Sequence, residues 1–387
     1  MKPIYYVIAG TKLILTAAMF ASISAHESSI VSPPDGKRLF ERETFAGNGR
    51  TCATCHSSAT GTISPSEAQK RYKSHPRDPL FLHDGSDDGR GNGVSRMLSD
   101  ATVLVEIPLP PNVSLADDPA ARSVLVRRGI PSTVNTPALD RVLMLDGRQP
   151  DLAAQAASAI SGHAQAKRVP TDAEIRRIAD FEATDEDFFS SPALRAFARG
   201  GPAPELPQGH TDAEKRGRRF FEDVTDLADL KHGACAACHS GPMLNETNEL
   251  LYAVAKVPVH TRFQSVRVSE LNEARNPMHE FVFTNPDKTT TRLMSPDPGR
   301  ALITGIGKES GLFDNVNAFK IPTLWGVTRT APYFHDNSAR TLEDVVAHYN
   351  KFFEVASDVD GPGPKPPLIV LAQDEQADIV AYLKLLK

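Results

Sequence analysis

Cys52-Ala53-Thr54-Cys55-His56 and Cys235-Ala236-Ala237-Cys238-His239 are the stretches that decide the fold, and they contain all four cysteines of the 387-residue chain. The Cys-x-x-Cys spacing lets two thiols add to the two vinyl groups of one porphyrin, and the following His can ligate its iron. An isolated Cys-x-x-Cys pair is also typical of a zinc site, a redox dithiol or a disulfide. Because a His follows both pairs directly, the sequence predicts two covalent c-type haems.

The segments that precede the two motifs are similar to each other. Gly36 and Gly217 are each followed four residues later by a Phe, and the first Cys of the motif lies 16 residues after Gly36 and 18 after Gly217. This internal duplication predicts two c-type cytochrome domains. We place them at residues 30–200 and 210–387, joined by the Gly- and Pro-rich stretch 200–209.

Helix signals recur along the chain. Thr-x-x-Glu capping boxes at 171–174 and 211–214 each predict a helix start. Further helices are expected at 151–160, 341–353 and 373–386, and no stretch has the sustained alternation of a strand. With 30 Pro and 25 Gly, the predicted fold is mainly α, with two c-type cytochrome domains, each wrapped around one covalent haem, and with extensive loops.

The N-terminus has the pattern of an export signal. Lys2 and Lys12 supply positive charge before an apolar stretch at 13–20, and small residues follow at 21–25. We therefore expect a signal peptide at 1–25, a periplasmic mature protein and no membrane span in that mature protein; an uncleaved anchor is the alternative. The net charge of −5 gives no indication of nucleic-acid binding.

Six sequence elements resemble the bacterial dihaem cytochrome c peroxidase and MauG family. They are P-S-T-V-N at 131–135, D-G-R at 146–148, Gln155, F-K-I-P-T-L at 319–324, T-A-P-Y-F-H-D at 330–336 and T-L-E-D-V-V at 341–346. The resemblance implies that the N-terminal haem is the reactive one and that the C-terminal haem stores or relays electrons. It also implies that His56 and His239 are the proximal iron ligands.

The same resemblance places the sixth ligand of the second iron at Tyr349. Peroxidases of the family have Met at this position and MauG-type members have Tyr, and no Met of this chain lies beyond Met294. A phenolate oxygen would stabilise high oxidation states of the iron. Tyr349 also lies on an apolar helix face, as a core aromatic residue would, and Met243, Met278 or Met294 could instead ligate from another loop.

Around the first iron the resemblance implies a distal Gln at Gln155 and an acidic residue where this chain has Gln165. An amide can orient peroxide but cannot take its proton, so His163 is the candidate base; a surface His at a helix end is the alternative. Leu145 replaces the Trp that lies between the haems in the family. Trp325 is either a relay near the second haem or a core residue.

The chain between His56 and Pro131 is longer than in the usual peroxidase. The additional segment carries His75 and His83, either of which could cap the first iron. The alternative is a surface loop in which Asp84, Asp87 and Asp88 are solvated charges.

The resemblance also implies one calcium ion between the domains. Its ligands would include the carbonyls of Thr330 and Pro332, while the family's Asn ligand maps near Gly129. Backbone oxygens suit calcium when water completes the coordination sphere.

The expected function is reduction of hydrogen peroxide at the N-terminal haem with electrons relayed through the C-terminal haem. The electron donor would be a small periplasmic cytochrome c or copper protein. One alternative is a MauG-like oxidation of a side chain on a partner protein. The other is a non-catalytic electron-transfer cytochrome in which both irons are six-coordinate.

Overall fold

The structure is a computed structural model that describes residues 35–224, 227–272, 276–308, 315–357 and 368–387. The expected signal peptide lies outside the described residues. Helices and loops dominate, which confirms a mainly α chain. The α-helices are α1 (Gly36–Arg42), α2 (Cys52–Cys55), α3 (Pro65–Ser74), α4 (Ser95–Asp100), α5 (Thr136–Leu139), α6 (Leu152–Gly162), α7 (Asp172–Thr184), α8 (Pro192–Ala198), α9 (Asp212–Arg218), α10 (Glu249–Ala255), α11 (Val268–Leu271), α12 (Ala301–Thr304), α13 (Leu342–Ser357) and α14 (Gln373–Leu383).

Short 3-10 helices supplement them at Pro79–Phe81, His83–Gly85, Glu186–Phe188, Arg219–Phe221, Leu227–Gly233 and Val327–Arg329. Both predicted capping boxes form. The hydroxyl of Thr171 accepts from the backbone N–H of Glu174, whose carboxylate accepts from the N–H of Thr171 at 2.9 Å. Thr211 and Glu214 repeat this arrangement at the start of α9.

The duplicated glycines have the same packing role in both halves. A Cβ at Gly36 would lie 2.1 Å from the carbonyl oxygen of Arg177 in α7, and a Cβ at Gly217 would lie 2.0 Å from that of Asp378 in α14. Only a residue without a side chain permits this approach. Each glycine thus lets the helix before a haem motif pack against a later helix of the same half.

Three small antiparallel sheets were not expected from the sequence. β1 (Thr102–Pro108) pairs with β3 (Ser123–Gly129), β5 (His279–Thr284) lies between β2 (Val113–Leu115) and β6 (Thr290–Ser295), and β4 (Phe263–Gln264) pairs with β7 (Phe319–Lys320). The β2–β5 pair sets Val113 opposite Phe283. This pair therefore joins segments from both sides of residues 200–209.

Buried apolar side chains form separate clusters beside the two haem motifs. One cluster gathers α1, α6 and α7 and includes Leu39, Phe40 and Ile178, with Cys52 packed against it. Another gathers α13 and α14 and contains Trp325, with Cys235 packed against it. No helix in the described ranges has the length and apolarity needed to cross a membrane.

Candidate haem-binding sites

The histidines of the two Cys-x-x-Cys-His motifs are held in the same way. The ring Nδ1 of His56 lies 2.8 Å from the carbonyl oxygen of Gly61, and that of His239 lies 2.8 Å from the carbonyl oxygen of Leu244. Because a carbonyl only accepts, Nδ1 carries the hydrogen and the Nε2 lone pair is left for a metal. Burial lowers the pKa of both rings, for His239 to about 4, which keeps the imidazole neutral as a metal ligand must be.

A cavity that is partly open to solvent adjoins the first motif. Cys52, Cys55 and His56 line it together with apolar residues of β1 and α6. Burial raises the pKa of both thiols, so the cysteines are protonated thiols facing an apolar space. Two such thiols, a neutral imidazole and an apolar slot are the set that a covalently attached porphyrin requires.

The second motif has the same ligand set and one further oxygen. Burial raises the pKa of Cys235 and Cys238 to about 12. Tyr349 of α13 lies beside them. Burial is the main reason that the pKa of its hydroxyl is raised, and the charges of Cys238 and Cys235 raise it further. In the described part of the chain this hydroxyl has no hydrogen-bond partner, while the ring lies 6.2 Å from those of Phe334 and Phe353. The structure therefore places Tyr349 near the two cysteines of the second motif, and its role as an iron ligand stays a prediction.

Two of the three methionine alternatives have clearly different surroundings. Met243 belongs to the loop whose carbonyl at Leu244 holds His239, and its side chain is buried in the apolar cluster of the C-terminal half. Met294 lies on β6 with 55% of its surface exposed.

One face of α6, continued by its C-cap residue His163, carries two of the polar groups that line the first cavity. Gln155, Ala159 and His163 follow each other at helical spacing of four, and all three line it. Gln165 does not. It is exposed, has a left-handed backbone (φ 48°), and its side-chain oxygen accepts from Asn48 Nδ2 at 3.3 Å. The chain turns after α6, so two residues beyond His163 the side chain points out of the cavity.

Sequence reasoning missed a buried partner of His163. The ring Nδ1 of His163 lies 2.5 Å from Oδ2 of Asp84, whose other oxygen accepts from Arg50. Asp84 is 5% exposed, so interpreting it as a solvated charge was wrong. Burial alone would raise the pKa of Asp84, but the hydrogen bond from His163 and the charge of Arg50 outweigh it and lower the pKa.

The two histidines of the additional segment do not line the first cavity. His75 is exposed and its ring lies 3.0 Å from the hydroxyl of Ser74. His83 is partly exposed and, like His75, is not among the residues that line the first cavity. Asp87 accepts from the N–H groups of Ser95 and Arg96, and therefore shapes the loop instead of being merely solvated.

Glu182 of α7 is a second feature that the sequence did not indicate. It lines the first cavity close to Cys52, is 5% exposed, and its Oε2 has no hydrogen-bond partner in the described part of the chain. Burial raises the pKa of this carboxyl to about 8. The sequence indicated it only through helical spacing, because Glu182 falls on the same buried face of α7 as Ile175 and Ile178.

Two residues lie between the sites. Leu145 lines the first cavity, and its carbonyl accepts from the N–H of Lys320. Trp325 is buried, and its indole N–H donates to the carbonyl of Pro242, three residues after His239. The backbone carbonyl of Trp325 accepts from Asn135 Nδ2 at 2.9 Å, next to the cavity-lining α5. Trp325 is thus a core residue that contacts the surroundings of both sites.

The expected calcium position lacks one side-chain ligand. Gly129 has no side chain, and the space where one would begin is filled by the side-chain oxygen of Asn337. The Asn337 amide donates to the carbonyls of Asp100 and Ala101. No cluster of three His, Cys, Asp or Glu suited to a metal occurs within the described ranges. The residues in place thus do not supply the full ligand set, and calcium at Thr330 and Pro332 stays a prediction.

Comparison with known proteins agrees with these features, although no family model matches the chain. Over 161 residues, 39% of this chain, it is 28% identical to the cytochrome-c peroxidase IdrP1 of Denitromonas iodatirespirans. The chain is thus similar to the dihaem cytochrome c peroxidase and MauG-like family, whose motifs it resembles. It is also 28% identical over 194 residues, 48% of this chain, to hydrazine synthase subunit gamma of Kuenenia stuttgartiensis. The matches span 36% and 44% of these relatives, less than half of either.

Solved structures that are similar to this chain cover most of its length. A MauG-like protein associated with microbial copper homeostasis is 19% identical with a TM-score of 0.46, covering 92% of this chain and 90% of its own. The diheme peroxidase BthA from Burkholderia thailandensis E264 is 14% identical with a TM-score of 0.44, covering 91% and 84%.

Proposed function

We propose that this protein is a periplasmic dihaem oxidoreductase that reduces hydrogen peroxide at the haem attached to Cys52 and Cys55. Bound haem would supply the redox chemistry of the reaction. In this proposal residues 30–200 form the peroxidatic domain and residues 210–387 form the electron-transfer domain. Electrons enter from a small cytochrome c or copper protein and pass through the second haem.

The observation that carries the proposal is the polar lining of a single cavity. Gln155 and His163 face the space next to His56, whereas His75 and His83 lie away from it. In this proposal neither His75 nor His83 closes the sixth position of the first iron. Gln155 can orient peroxide through its amide, and His163 can take a proton. A site that has both groups is better suited to a reaction of bound peroxide than to electron transfer alone.

The second site supports a MauG-like variant of the same function. The Tyr349 hydroxyl lies beside Cys235 and Cys238 without another partner in the described residues. As an axial ligand opposite His239, its oxygen would favour a high oxidation state of that iron. Oxidising equivalents could then be kept at both sites until a side chain of a partner protein is oxidised.

The test is the spectrum of the haem-loaded oxidised protein. We expect one high-spin haem whose signal is lost when cyanide is added, and one low-spin haem that does not respond. Addition of hydrogen peroxide should then oxidise a reduced cytochrome c in steady state. Two low-spin haems that react with neither cyanide nor peroxide would refute the proposal and favour a non-catalytic electron carrier.

A further inference from the structure

Arg50 is buried to 2% exposure, and every one of its guanidinium donors is used. Arginine has five N–H donors. In this structure they bind five acceptors, all in or beside the first cavity wall: the carbonyl oxygens of Pro79, Leu80, Leu82 and His163, and the carboxylate of Asp84. Arg50 therefore ties the segment just before Cys52 to the additional loop and to the end of α6.

The ion pair with Arg50 leaves one oxygen of Asp84 for His163. A carboxylate only accepts, so the hydrogen lies on Nδ1 of His163 and the lone pair lies on Nε2. The backbone at this position is fixed as well, because Asn48 Nδ2 and Arg50 both donate to the carbonyl of His163, at 2.9 and 3.2 Å. The ring of His163 is thus fixed in orientation and tautomer at the cavity wall, and its side chain is 35% exposed.

We propose that Asp84, held by Arg50, is the positioning residue that makes His163 the proton acceptor of the first cavity. This inference rests on the proposed function, since it requires that a protic ligand reaches the first iron. Gln155 would orient that ligand, and His163 would move its proton.

The proton step balances within the cluster. The ligand, HOOH or HCN, loses its proton to Nε2 of His163 and becomes an anion, while the imidazole becomes an imidazolium. The Nδ1 hydrogen stays on the ring and no electron is transferred. The Asp84 carboxylate stabilises the new positive charge, as the acidic member of a His–Asp pair does. Solvent at the exposed edge of His163 can remove the proton afterwards.

The experiment uses cyanide as the probe on the oxidised, haem-loaded protein. We expect His163→Gln to lower the second-order rate of cyanide binding about a hundredfold, within the range that a general base contributes. Asp84→Asn should lower it at least about tenfold. Because a proton acceptor speeds both directions, dissociation should slow equally and the dissociation constant should stay nearly unchanged.

A double-mutant cycle distinguishes positioning from general structural support. Asp84→Asn should have no further effect in the His163→Gln background. Asp88→Asn, in the same loop but without contact to His163, is the matched control and should bind cyanide at the parent rate. Should Asp84→Asn fail to fold because Arg50 loses its charged partner, Asp84→Glu is the second variant. It keeps the charge but displaces the acceptor oxygen by one methylene, and it should also slow cyanide binding.

Three results would overturn the inference and leave the proposed function intact, provided that the parent protein binds cyanide. They are an unchanged rate in the Asp84 variants, an equal loss in the presence and absence of His163, and an equal loss in Asp88→Asn. A parent protein that does not bind cyanide at all would instead refute the proposed function itself.

Discussion

Glu182 predicts an unusual dependence of stability on pH. In the folded protein burial raises the pKa of this carboxyl from 4.5 to about 8. Between these values the folded state holds a proton that the unfolded chain releases, so the free energy of unfolding falls as pH rises through this window. Below about pH 4.5 both states are protonated, and above about pH 8 neither is.

The size of this effect follows from the two pKa values. A gap of about 3.5 pH units, at about 1.4 kcal/mol per unit, corresponds to at most about 5 kcal/mol lost between pH 4.5 and 8. No buried cation pairs with Glu182 within the described ranges, and its Oε2 lacks a partner, so the carboxylate would not be compensated on ionisation. Glu182→Gln keeps the shape and removes the titration.

The assay is denaturant unfolding of the haem-loaded protein at several pH values from 5 to 8. We expect the free energy of unfolding of Glu182→Gln, relative to that of the parent, to increase by several kcal/mol as the pH rises across this range. Asp180→Asn is the matched control, because Asp180 is on the exposed face of the same helix and should change little. Parallel parent and Glu182→Gln curves would refute the reasoning, since they would mean that Glu182 titrates as it does in the unfolded chain.

Four further substitutions test other features of the structure. Tyr349→Phe should change the low-spin absorption and the reduction potential of the second haem; an unchanged spectrum would exclude Tyr349 as a ligand. Trp325→Phe should slow electron transfer between the haems in a stopped-flow experiment, while a purely structural Trp would affect only unfolding. Arg128→Met leaves the buried carboxylate of Asp297 without its ion-pair partner, while Asp146 keeps Arg148, and should cost about 3–5 kcal/mol in denaturant unfolding. Gln165→Ala should leave cyanide binding unchanged, because the side chain is exposed.

The Cys-x-x-Cys-His motifs and five of the helices were predictable because local chemistry determines them. A Cys-x-x-Cys-His string needs no distant partner to be recognised, and the capping boxes at Thr171 and Thr211 satisfy the first N–H groups of their helices within four residues. The duplicated glycines were visible as a repeat. Their packing against α7 and α14 was not, because the contact is with backbone far along the chain.

The strands were missed because a charged residue occupies an inward position. In β3, Val124, Val126 and Arg128 face the interior, and Arg128 is 2% exposed. Its guanidinium binds Asp297 through two N–H groups and Asp146 through a third. These partners come from distant segments, so the sequence alone indicates an exposed Arg where the fold has a satisfied buried one.

The candidate site was predictable only where it follows from helix geometry. Gln155 and His163 share a face of α6, and this spacing could be read directly. Gln165 could not be placed, because α6 ends at Gly162 and the chain turns before it reaches Gln165. Asp84 could not be assigned, because its burial depends on Arg50, 34 residues earlier, and on a ring 79 residues later.

The unequal chemistry of the two sites therefore arises outside the duplicated unit. Both copies supply two thiols and a His whose Nδ1 binds a carbonyl five residues later, so the repeat by itself would give two equivalent haems. The first copy gains a polar wall from α6 and from the loop that carries Asp84. The second gains the Tyr349 hydroxyl from α13, close to Cys238 and Cys235. The reactivity of each haem should therefore follow these added groups and not the motif itself. Substitution of Asp84 and His163 should slow proton transfer at the first site without altering the second. A cyanide-binding defect that appeared in the low-spin haem instead would contradict this division.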